Sequence, residues 1–116
     1  MSGSPATYLI RIRYDSEQKY ESVPHVVMPS HQYLKRGDSV VFEAMNTDVI
    51  IFIPRADLLF GYTEKYYTFT IPDGKYSEQF AISMDCPVNR EFPYTVYCAE
   101  GNGLAEGGSP PKMIIE

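Results

Sequence analysis

A chain of 116 residues with nine prolines, eight glycines and a formal charge of −5 is one domain long, rich in turns and acidic. That length can bury a core without metal or disulfide staples, and the turn residues favour an all-β chain over an all-α one. The charge, with its few basic residues scattered, excludes a phosphate-backbone binder, and no apolar run of about 18 residues suggests a helical membrane span.

Residues 1–116 read as a single domain, with residues 1–5 as a flexible or appended tail. MSGSPAT lacks the basic and apolar regions of a signal peptide. With Met1 as the native start, the protein is expected in the cytoplasm with both cysteines reduced.

Thr7 to Tyr14 alternates, with Tyr8, Ile10, Ile12 and Tyr14 on one face and Arg11 and Arg13 on the other, which predicts a half-buried strand. Asp15 to Gln18 reads as a turn and Lys19 to Val23 as a short return strand. Val26 to Met28 is strand-like, Pro29 interrupts its ladder, and Gly37-Asp38 supplies a turn. Ser39 to Met45 follows, with Val40, Phe42 and Ala44 facing inward. Val49 to Pro54 (VIIFIP) is apolar on both faces, as in strands that are central or covered on both sides. Arg55 to Gly61 predicts a short helical turn with Gly61 as a left-handed cap.

Tyr66 to Ile71 is a further β-branched and aromatic strand, and Pro72-Asp73-Gly74 is a turn. Tyr76 to Ser83 then places Tyr76, Phe80 and Ile82 on one face. Met84 to Glu91 is a polar connection. Phe92 to Cys98 alternates again, with Phe92, Tyr94, Val96 and Cys98 together, followed by a glycine-rich loop (AEGNGLAEGGSPP) and a closing strand, KMIIE. Seven or eight short strands at this spacing predict an all-β Greek-key sandwich or barrel.

Three segments, in order, resemble the cupredoxins: a proline and Leu34 followed by GDSVVFEAMN (Gly37 to Asn46), then NTDVIIFIP (Asn46 to Pro54), then YTVYC (Tyr94 to Cys98) with its loop and KMIIE. The resemblance spans nearly the whole chain and implies a Greek-key sandwich of cupredoxin type. It also implies a type 1 copper site, which takes two imidazoles, a thiolate and a weak axial thioether. Carried over by position, the thiolate falls on Cys98 and the first histidine on Ile51, which has no lone pair. The second histidine falls among Gly101, Asn102 and Gly103, and the axial methionine near Ser109. A binuclear variant fails at Asn102 and Glu106, and Met113 reads as core. One ligand in four remains, so no cofactor is expected.

His25 and His31, the only histidines, flank Pro29 and read as surface or edge-strand residues; with Glu21 they form the alternative metal set. Cys98 ends an inward-facing series and reads as a buried, inert thiol. Spacing excludes a disulfide between Cys86 and Cys98, because the strand between them separates their ends by roughly 20 Å. The loop lacks the lysine and helix of a phosphate cradle, and Asp48, Asp57, Asp73 and Asp85 lack calcium-loop spacing. Tyr62, Tyr66 and Tyr67 are read as core and solvated edge or, alternatively, as a ligand surface.

No acid–base or nucleophile constellation emerges, so no enzyme is expected. The expectation is a non-catalytic, copper-free binding domain for a protein or small ligand, a monomer or weak homo-oligomer, with no nucleic acid or membrane partner. Its surface would be the loop 99–111 with Asn46, Asp48, Asn102 and Glu106. The alternative is a metal-binding or electron-transfer protein that combines Cys98 with Met84, Met113 or a histidine.

Overall fold

The computed structural model describes residues 4–14, 25–99, 103–104 and 110–116. They form eleven strands and one short helix. The all-β sandwich expected from the sequence is the fold observed. The turn and return strand predicted within 15–23 lie outside the described residues.

Strand β1 (Thr7–Tyr14) matches the predicted bounds, burying Ile10 and Ile12 and exposing Arg11. It pairs antiparallel with β2 (His25–Met28) and parallel with β4 (Ser39–Met45). Between them lies β3 (His31–Leu34), which the sequence reading did not assign. Only Leu34 of its four residues is fully buried, so its pattern carries little strand signal. The segment is extended because it pairs with β11 (Lys112–Ile115), far along the chain. The Met28-Pro29 bond is cis, and at Pro29 the chain leaves one sheet and enters another.

Strand β5 (Val49–Ile53) is central, between β6 (Tyr67–Ile71) and β9 (Thr95–Cys98). Its outer face is only partly covered by the described residues: Ile50 is 40% exposed, and Phe52 is half-buried, stacked on Tyr66 at 5.9 Å between ring centres. Helix α1 (Ala56–Phe60) follows as expected, and Gly61, at φ 75°, closes it in the left-handed conformation that glycine adopts without a Cβ penalty.

The strand predicted over Tyr76 to Ser83 is only β7 (Phe80–Ala81), and Tyr76 does not share a face with Phe80 and Ile82. Glu43 bridges Tyr76 while Val40 pairs with Phe80, so three steps along β4 face four along its neighbour. This is a β-bulge, and the extra residue reverses the alternation. Ser77 closes it: its N–H donates to the Phe42 carbonyl at 2.7 Å, and its hydroxyl accepts from the Phe42 N–H at 2.9 Å. Phe80 and Ile82 are buried, whereas Tyr76 is 60% exposed.

The predicted strand Phe92 to Cys98 is present but divides between sheets. Its first part, β8 (Arg90–Pro93), pairs with β11, and its second, β9, pairs with β5. At the break the Tyr94 N–H donates to the Pro111 carbonyl. A two-residue β10 (Gly103–Leu104) lies along the other side of β9. With β2–β3 and β8–β9 each taken as one bent path, the order is β7, β4, β1, β2–β3, β11, β8–β9, β5, β6. That makes eight strand paths wrapped around one core of aliphatic side chains and aromatic rings. The wrapping is not closed by hydrogen bonds, because β6 and β7 are edges of their sheets.

One buried carboxylate anchors the start of β1. The Asp38 side chain accepts from the Ala6 N–H at 3.0 Å and the Lys35 N–H at 2.9 Å. The predicted Gly37-Asp38 turn is thereby tied to the first strand. Among the described residues no helix is long and apolar enough to cross a membrane.

Candidate functional site

Alternation along β5 and β9 decides what faces the interior at the Cys98 end. Val49 pairs with Cys98 and Ile51 with Val96, so with a period of two all four side chains share the inner face. Each is at most 1% exposed. Ile51 and Cys98 are therefore diagonal neighbours, a spacing of about 7–8 Å between backbones. The structure brings together the two positions that the resemblance pairs.

Chemically the pair is inert. Burial pushes the Cys98 thiol from its ordinary 9.0 up to about 11. Cys86, buried in the connection from β7 to β8, is also raised by burial, an effect partly opposed by the positive charges of Arg36 and Arg90. Both cysteines are free thiols, as the strand spacing requires. Native protein should thus show no rapidly reactive thiol at pH 8, and denatured protein two. The Cys98 shift also carries a sign for stability. In the unfolded chain the thiol titrates near 9.0 and in the native one near 11, so its contribution is complete below pH 9 and is lost as pH rises to 11. A Cys98→Ala variant should lose less stability than the parent over that interval in denaturant titrations; parallel curves would contradict a sealed thiol.

Outside this apolar pair, the turn from β4 to β5 is held at three points. Asn46 adopts φ 65°, a left-handed conformation that asparagine tolerates better than most residues. The buried Thr47 hydroxyl donates to the Asp48 carbonyl at 2.8 Å. That same carbonyl accepts from the Ala99 N–H at 3.0 Å, just beyond Cys98. The Asp48 carboxylate accepts from the Asp73 N–H at 2.8 Å, tying in the Pro72–Gly74 turn. Asn46 and Asp48 are exposed on this clamp. Asn102, Glu106 and Ser109 lie outside the described residues, as does Glu21.

Among the described side chains, the alternative ligands are not gathered at Cys98. His31 is exposed on β3 and stands in register with Lys112, itself opposite Pro93. Five strand residues, roughly 16 Å, separate Pro93 from Cys98. Met113 is buried opposite Phe92, further along the same path. Met84 is 68% exposed and lies against Gly37 at the far end of β4. The His25 side chain is outside what is described. Among the described residues no group of three or more histidine, cysteine, aspartate or glutamate side chains is placed to hold a metal ion. A type 1 copper site takes imidazoles beside its thiolate, and among the described residues the inner-face neighbours of Cys98 on β5 and β9 are Val49, Ile51 and Val96.

The tyrosines divide as the sequence reading allowed. Tyr66 is 59% exposed, while Tyr62 and Tyr67 pack edge-on at 5.2 Å against the core rim. Missed in the sequence was a groove where the edges β6 and β7 face each other, lined by Tyr67, Phe69, Tyr76, Glu78 and Phe80, with a volume of 260 Å³.

No protein-family model matches the chain, and no curated protein matches it in sequence. Among solved structures it is similar to the multicopper oxidase mgLAC, with a TM-score of 0.47 and 13% sequence identity. The match covers 97% of this chain and 39% of the oxidase, so the chain spans well under half of that protein's length.

Proposed function

We propose that this is a cupredoxin-like domain without copper that acts as a non-catalytic interaction module. Its working surface is the end of the sandwich formed by the Asn46–Asp48 turn and the loop 99–111. The observation that carries the reading is the packing of Ile51 beside Cys98. Where the resemblance calls for an imidazole, an apolar side chain fills the interior, and the neighbouring thiol is held neutral. The clamp through Asp48 supports the second half of the proposal. A turn fixed by hydrogen bonds from Asp73 and Ala99 loses little freedom on binding.

Copper loading tests the first half. The expected result is no stoichiometric copper and no strong thiolate-to-copper absorption band, and a tightly held copper ion with that band would overturn it. Ile51→His alone should not restore the band, because the second imidazole and the axial ligand are still missing.

The surface is tested with Asn102→Ala and Glu106→Ala. Both should stay within about 0.5 kcal/mol of the parent in stability while weakening retention of a partner recovered with the parent. Unchanged retention by both variants would remove this loop from the binding surface.

A further inference from the structure

The groove between β6 and the segment 76–81 brings aromatic rings and a carboxylate together. Its walls belong to different sheets, with no ladder joining them. Phe69 and Phe80 form its floor, their ring centres 4.8 Å apart. Tyr67 meets Phe80 edge-on at 6.0 Å. Tyr76 stands at the rim, turned outward by the bulge at Ser77. The Tyr67 hydroxyl donates to the Glu78 carboxylate at 3.3 Å. Glu78 is exposed and makes no ion pair among the described residues. Burial, joined by negative charge from Glu78, pushes the Tyr62 and Tyr67 phenols up.

Aromatic faces carry negative quadrupole charge and attract a cation held over them, most strongly where water is partly excluded. A carboxylate beside such faces, without a cation of its own, adds an ordinary Coulomb attraction. We infer that this groove is a binding site for a small organic cation with an alkylated ammonium head group, seated against Tyr67, Phe69 and Tyr76 with Glu78 as counter-charge. The volume of 260 Å³ is in keeping with a small ligand. A bare divalent metal ion is a poor match, because the groove offers a single carboxylate where such an ion takes several oxygen ligands.

The probes are choline and its uncharged carbon isostere, 3,3-dimethylbutan-1-ol, titrated separately and followed by aromatic proton–carbon NMR. Choline should give saturable shifts at Tyr67, Phe69 and Tyr76, and the isostere should bind at least about tenfold more weakly. Glu78→Gln, a change at an exposed position, should weaken choline by about three- to tenfold and leave the isostere unaffected. Tyr76→Ala should weaken choline as well, since it removes a rim ring without entering the core. Equal binding of the isostere would make the groove merely apolar and overturn the inference. So would saturable shifts that Glu78→Gln does not alter, or no saturable shift at all.

Discussion

Ile51→Asp is expected to prevent folding. Ile51 has no exposed surface, and across β9 it faces Val96 and Cys98, neither of which can neutralise a carboxylate. An unpaired charge in such a place is far more costly than the whole stability of a domain this size can bear. Ile51→Ala keeps the apolar character and only opens a cavity, so it should fold with a loss of about 2–5 kcal/mol. A denaturant titration read for midpoint at constant slope separates the two. A folded and only mildly destabilised Ile51→Asp would show that water reaches position 51, and would point to a pocket there.

Phe42→Ala should cost about 3–5 kcal/mol, the loss expected for a fully buried aromatic ring. The Phe42 ring is wholly buried and lies 5.7 Å from those of Phe69 and Tyr94 and 6.2 Å from that of Phe80. Those neighbours come from β6, from the junction of β8 and β9, and from β7, so one ring touches three parts of the wrapping. Its removal forfeits edge-to-face contacts as well as buried area. Phe42→Leu should recover about half of the loss. The same titration checks both, and a loss below about 1.5 kcal/mol for the alanine variant would mean that the surrounding rings collapse into the gap.

Elements whose burial pattern is complete within themselves were legible in the sequence. Strand β1 buries Ile10 and Ile12 at a period of two, and the helical turn before Gly61 ends on the residue type that suits its backbone best. The resemblance pairs Ile51 with Cys98, and the β5–β9 register sets the two diagonally across neighbouring strands. What escaped depends on partners distant in sequence. His31 to Leu34 has a single buried residue and becomes a strand only beside β11. The bulge at Ser77 was invisible because a serine there looks like any strand residue; only its pairing with Phe42 shows the extra step. That shift put Tyr76 on the wrong face and hid the groove, whose walls come from two sheets. The apolar run of β5 read correctly as a central strand, while composition alone did not show that Ile50 and Phe52 sit on its solvent side.

The two bent paths, β2–β3 and β8–β9, have a mechanical meaning. A pair of sheets held only by packed side chains can shear, because the contact surface resists sliding weakly compared with a covalent chain. Here the main chain itself crosses from sheet to sheet, at Pro29 on one side and at Tyr94 on the other. A force that tries to slide the sheets past each other is carried by backbone at both places. At the opposite margin β6 and β7 share no ladder, and the chain passes from one sheet to the other through the connection 72–79, which is itself hydrogen-bonded to Ala44 and Phe42 of β4. The wrapping is thus a cuff whose lips are joined by a loop rather than by a continuous strand.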